Sequence, residues 1–154
     1  MAADPFSGQA PILYDADCGF CCWSLAKVLA WDRRRALRPV PLQDPEAERL
    51  LSGMDAEQRM ASWHLAAPDG HVYSAGTAAA PLLRLLPGGA APAAVCARFP
   101  RAVDRLYAWA ARNRAPLGRP LSTAAIERAR HRIRARSRTS PGPGQAAAGA
   151  GAGR

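Results

Sequence analysis

The sequence predicts a small α/β domain: a four-stranded mixed sheet, made of two parallel strands and an antiparallel hairpin, with helices on both faces. Three observations carry this. The apolar run Ile12-Leu13-Tyr14 passes directly into a helical pattern in which Leu25, Val28 and Leu29 recur at helix spacing. A second strand-like run, Leu37 to Leu42, follows that single helix, so the two strands run parallel through a right-handed crossover. Pro68-Asp69-Gly70 separates two further apolar runs and marks a hairpin turn. A chain of 154 residues with 49% hydrophobic content is long enough for one core, so one domain is expected.

The elements follow in order. Pro11–Tyr14 reads as the first strand, and the first helix runs from Cys18 to about Asp32, where Asp32-Arg33-Arg34-Arg35 stops it. Cys18, Cys21, Cys22, Leu25, Val28 and Leu29 share one stripe of that helix, which faces the sheet. Pro39 and Pro41 cannot donate to a ladder, so the second strand belongs at a sheet edge. Asp44 before Pro45 is an N-cap with proline at the first helical position, opening a short helix that closes by Gly53. Asp55 and Gln58 have capping-box spacing and start another over Ala56–Ala61. Trp63–Ala66 and His71–Tyr73 form the hairpin strands. A helix from about Thr77 ends at Pro87-Gly88-Gly89, one more follows Pro92, and a longer one begins at Pro100 with Val103, Leu106, Tyr107 and Ala110 on one face and Trp109 completing it. Asn113 to Pro120 breaks the pattern. These extra C-terminal helices are followed by a basic stretch that can continue as a helix over Thr123–Arg136, with Ile126, Ala129 and Ile133 as its apolar line. The chain thus divides into a leader (1–10), a folded domain (11–118), a basic extension (119–138) and a Pro/Gly/Ala-rich tail (139–154) expected to be disordered.

Composition narrows the setting. The net charge is +9, but Arg128, Arg130, Arg132, Arg134, Arg136 and Arg138 supply much of it and read as a solvated face of the extension. That segment lacks aromatic residues for base stacking, which argues against nucleic acid. Four cysteines, three of them clustered, do not make a secreted disulfide framework. The first ten residues lack a basic start and an apolar core, and no run reaches the ~18 apolar residues of a membrane helix. A cytoplasmic location and no membrane span are the expectation.

The candidate chemistry lies in Tyr14-Asp15-Ala16-Asp17-Cys18-Gly19-Phe20-Cys21-Cys22-Trp23. Where a strand hands over to a helix, unpaired N–H groups and the positive end of the helix dipole favour a thiolate. Cys18 sits at or near the N-cap and Cys21 one turn on, close enough in a helix for their sulfurs to bond. Cys18 is therefore expected to be the most readily ionised cysteine and to attack, with Cys21 resolving the mixed disulfide. Strand, C-x-x-C and downstream α/β pattern together point to a thioredoxin-like redox site.

The same residues resemble the DCC family of thiol-disulfide oxidoreductase-like proteins, named for an Asp followed by a Cys-x-x-Cys pair. Leu65-Ala66-Ala67-Pro68-Asp69-Gly70-His71-Val72-Tyr73, with Gly76 and Ala78, and Tyr107-Ala108-Trp109-Ala110-Ala111-Arg112-Asn113-Arg114 are also similar, so the resemblance spans roughly residues 11–118. It implies a thioredoxin-like fold, a redox-active disulfide between Cys18 and Cys21, a role for Asp15, a protein or low-molecular-weight thiol as substrate, and no bound cofactor. Ala16 stands where the family usually has glycine, so the turn must accept a side chain. Ala61-Ser62 precedes Trp63 without the proline that thioredoxins place there.

Each residue has an alternative reading. Asp15 either accepts the Cys21 proton or ties down the loop by taking backbone N–H bonds, and Asp17 reads as a helix cap. Cys22 and Cys96 read as core residues. Zinc held by Cys18, Cys21 and Cys22 with His64 or His71 would use the same cysteines, but no second C-x-x-C or C-x-x-H supports it. The rival to a redox enzyme is a thioredoxin-like binding module with non-catalytic cysteines, whose basic extension recruits an acidic partner.

Overall fold

A computed structural model describes residues 8–138. Most of the expected leader and all of the expected 139–154 tail lie outside the described residues. Four strands form one sheet in the order β2-β1-β3-β4: β1 Ala10–Tyr14, β2 Leu37–Pro41, β3 His64–Ala66 and β4 Val72–Ser74. β1 and β2 are parallel, with Ile12 opposite Pro39, while β1–β3 and β3–β4 are antiparallel. β2, which carries Pro39 and Pro41, lies at the edge, where a missing N–H costs nothing to the ladder, whereas the central strand β1 carries Pro11 at its second residue.

Alternation along β1 divides the interior. Ala10, Ile12 and Tyr14 join one cluster with Cys22, Leu25, Leu29, Leu82 and Ile133, on the face covered by α1 (Gly19–Trp31), α4 (Ala79–Leu85) and α8 (Thr123–Arg138). Leu13 joins Val40, Ala47 and Leu51 on the opposite face, under α2 (Pro45–Leu50). Each leucine buried this way contributes roughly 1.5–3 kcal/mol. Helices therefore flank both faces of a mixed sheet, the thioredoxin-like arrangement.

The capping signals are realised as sequence chemistry dictates. Asp44 accepts from the Glu46 N–H at the start of α2, and Asp55 with Gln58 closes a reciprocal capping box on α3 (Ala56–Ala61). The helix expected from Thr77 begins instead as a 3-10 turn over Ala75–Ala78 and becomes α-helical at Ala79. α5 (Ala90–Arg98) and α6 (Pro100–Arg112) follow, and the segment expected only to break the pattern holds a short α7 (Arg114–Gly118).

Two expectations need correction. On α6, Val103, Tyr107 and Ala110 turn inward, but Leu106 is 67% and Trp109 51% exposed. The apolar arc of this helix is wider than the surface available to cover it, so only part is buried. The arginines of the extension are not uniformly solvated either. α8 lies along α1 with Ala129 and Ile133 buried. Arg136 reaches the buried Asp32, donating to its Oδ2 at 3.3 Å and to the Leu29 and Asp32 carbonyls at 2.8 and 2.9 Å. Asp32 also accepts from the Ala36 and Leu37 N–H groups, so one carboxylate ends α1, starts β2 and anchors α8.

Candidate redox site

Cys18 is the N-cap of α1, with extended backbone (φ −83°, ψ 109°). Its sulfur accepts the Cys21 backbone N–H at 3.3 Å. A hydroxyl or carboxylate usually fills this position; here the sulfur takes an orphan donor of the first turn. The expected cap, Asp17, is instead the residue before the cap, exposed and held by Gln43 through its Oδ2 at 3.3 Å.

Cys21 is half-buried one turn further on. Burial pushes its thiol well above the usual range, and the Cys18 sulfur and the Asp15 charge push the same way, against the Arg114 guanidinium. Cys22 is buried, with its sulfur 3.4 Å from the Ala16 carbonyl. Burial raises this thiol too, opposed by Arg130 of α8, whose guanidinium lies against it. Cys96 is half-buried on α5. The structure thus brings Cys18, Cys21 and Asp15 together, with Cys22 packed beneath them.

Asp15 ends β1. Its Oδ1 accepts from the Asp17 N–H at 3.0 Å and from Gln43 Nε2 at 2.9 Å, while Gln43 Oε1 takes the Ala16 N–H at 3.3 Å. The Gln43 amide therefore clamps all three residues before Cys18 from the far end of β2. Nothing in the sequence pattern marks it, because the contact spans 28 positions. Ala16 is not among the residues with positive φ, which explains why a side chain is accepted there.

The C-terminal helices close over the same turn. A Cβ at Gly19 would stand 2.9 Å from the Ile126 methyl of α8, so this glycine is what lets α8 approach the dithiol. The apolar line Ile126, Ala129, Ile133 was the only sequence signal that the basic extension reaches the site. His64, a candidate metal ligand, has both ring nitrogens engaged: Nε2 donates to the Arg59 carbonyl at 2.9 Å, so Nδ1 accepts from the Ser74 hydroxyl at 2.6 Å. Burial lowers its pKa, against the bond to the Arg59 carbonyl, which raises it. His71 is exposed on the hairpin turn beside Asp69.

A cavity of about 320 Å³ opens beside Cys21. Its apolar floor comes from β1, α1 and α4, including Ile12, Val28 and Leu82. Ser62 and Trp63, where a thioredoxin carries its proline, line one side together with Tyr107 of α6, whose hydroxyl is within hydrogen-bonding reach of the Trp63 backbone and the Ser62 side chain.

A thioredoxin-like sheet with a dithiol at the start of its first helix defines the class of thiol–disulfide oxidoreductases. Within that class the chain belongs to the DCC1-like thiol-disulfide oxidoreductase family, whose sequence profile matches residues 12–120. No curated protein and no solved structure gives a significant match.

Proposed function

We propose that this protein exchanges disulfides with thiol substrates through Cys18 and Cys21. The observation that carries the reading is the Cys18 sulfur at the N-cap of a 13-residue helix, accepting the Cys21 N–H. The Cys18 thiolate attacks one sulfur of a substrate disulfide, forming a mixed disulfide and expelling the other half as a thiolate, which takes a proton from water. Cys21 then loses its proton and attacks the Cys18 sulfur, closing the Cys18–Cys21 bond and expelling the second thiolate. Two electrons pass from protein to substrate, and an external thiol returns them.

Burial keeps Cys21 protonated until it is needed. In this reading Asp15, which lines the same cavity as Cys21, receives that proton. Cys22, more deeply buried, takes no part. The substrate is a protein or low-molecular-weight disulfide, and a reducing compartment such as the cytoplasm is the setting in which such a dithiol is recycled.

The test is a pair of variants. Cys21→Ser should accumulate a mixed disulfide on Cys18 when mixed with bis(2-hydroxyethyl) disulfide, and Cys18→Ser should abolish exchange. A Cys18→Ser protein with full exchange activity would remove the proposal.

A further inference from the structure

The cavity beside Cys21 is larger and more apolar than a dithiol needs. Disulfide exchange requires only that two sulfurs meet in line with a third, and Cys18 at the helix start could offer that on an open surface. Instead Cys21 forms part of the wall of a recess of about 320 Å³, of the size that holds a small organic ligand. Leu25 and Leu82, buried in the main core, lie at its base, and aromatic rings of Phe20, Trp63 and Tyr107 stand around it. Among the described residues that line this space, one is a cation. Arg114, at the start of α7, lines the cavity, and its charge acts on both the Cys21 thiol and the Tyr107 hydroxyl. It forms no ion pair with another described residue. The acidic group at the rim, Asp15, already has one carboxylate oxygen taken by Asp17 and Gln43.

We infer that this cavity is a specificity site for low-molecular-weight disulfides whose thiol half carries an aromatic or similarly apolar body and a carboxylate. The body fills the recess and the carboxylate pairs with Arg114, which sets the substrate disulfide against the Cys18–Cys21 turn. Placing the sulfur beside Cys21 also suits the resolving step: the departing thiolate leaves along a wall where Arg114 offsets its charge. A recess this concave suits a small molecule better than a peptide, which would need a longer groove. The inference rests on the disulfide-exchange reading above and adds to it the chemistry of the substrate.

The full chain is assayed with three disulfides: 5,5'-dithiobis(2-nitrobenzoate), aromatic and anionic; 4,4'-dithiodipyridine, aromatic and neutral; and bis(2-hydroxyethyl) disulfide, small and polar. Ala111→Phe, which fills the recess from α6, should lower kcat/KM for both aromatic disulfides at least tenfold relative to the hydroxyethyl compound. Arg114→Gln, at an exposed position, should lower the ratio of the anionic to the neutral aromatic disulfide at least fivefold. Comparing each variant with the parent cancels the intrinsic reactivity of the three compounds. Ratios unchanged in both variants would overturn the inference. Losses of the same size with insulin as substrate would assign the recess to a protein side chain and overturn it equally.

A binding readout separates this from failure of the redox reading. Cys18→Ser protein, which cannot start exchange, is titrated with 4-(methylthio)benzoate and followed by tryptophan fluorescence. Saturable binding weakened at least fivefold by Arg114→Gln supports the site even if the parent protein exchanges no disulfide, and no binding contradicts it even if exchange is rapid.

Discussion

At the scale of single residues, the division of labour among the cysteines follows from where each sulfur sits. Cys18 has a backbone donor, whereas Cys21 and Cys22 are raised by burial. Iodoacetamide at neutral pH should therefore modify Cys18 before Cys21 and Cys22, as read by peptide mass spectrometry. Modification of Cys22 first would contradict the account. Gln43 is a positioning residue, and Gln43→Ala removes hydrogen bonds worth together about 1–2 kcal/mol in an exposed loop. The expected result is a small drop in stability with a larger drop in exchange rate, because the loop before Cys18 loses its clamp. Restoring both with Gln43→Glu is not expected, since a third carboxylate would face Asp15 and Asp17. His64 supplies a pH test. Burial holds its folded pKa below the usual histidine value of 6.5, so the unfolded chain binds the extra proton first. Its contribution is complete above that value and is lost as pH falls below it, with a slope of at most about 1.4 kcal/mol per pH unit. Denaturant titrations of His64→Gln against the parent between pH 7 and 5 should show a flatter dependence in the variant.

At the scale of elements, some were legible and others not, for physical reasons. Local chemistry spoke clearly: the Asp44-Pro45 start of α2, the Asp55/Gln58 box of α3, the Pro68-Asp69-Gly70 turn, where Gly70 adopts φ +82°, and the two prolines that sent β2 to the edge. Cys18, Cys21 and Asp15 were also visible, because strand, loop and helix start are contiguous in the chain. What remained hidden depends on distant contacts. Gln43 is separated from the loop it holds by all of α1 and β2, and the outward turn of Leu106 and Trp109 depends on how little of α6 the core covers. The packing of α8 shows both sides of this. Its apolar line was readable, but its arginines masked the one that enters the interior, Arg136. The Asp32–Arg136 pair gives an element-level prediction. Asp32→Ala removes the carboxylate paired with Arg136, whose bonds to the Leu29 and Asp32 carbonyls remain, and leaves two backbone N–H groups without their acceptor, and should cost about 3–5 kcal/mol in denaturant unfolding. A loss below 1 kcal/mol would show that α8 is not anchored there.

At the scale of the whole molecule, the site is assembled from both ends of the described chain. The turn between β1 and α1 supplies Asp15 and Cys18, α1 supplies Cys21, β2 is followed by Gln43, α6 and α7 supply Tyr107 and Arg114, and α8 brings Ile126 and Arg130 against the same turn. Ending the chain at Leu121 would uncover α1 and remove the buried Ile133, so circular dichroism of that truncation should show lost helix well beyond α8 itself. A basic face cannot therefore be tested by deletion; charge-reversal at the exposed Arg128 and Arg132 leaves the packing intact and is the sharper probe of an acidic partner. The central claim remains the chemistry of one turn of helix. Its most direct test is to equilibrate the protein across a series of oxidised and reduced dithiothreitol, quench with an alkylating agent and map the cysteines by mass spectrometry. The account predicts that Cys18 and Cys21 form and lose a disulfide together while Cys22 and Cys96 stay reduced, and a series in which Cys18 and Cys21 never pair would contradict it.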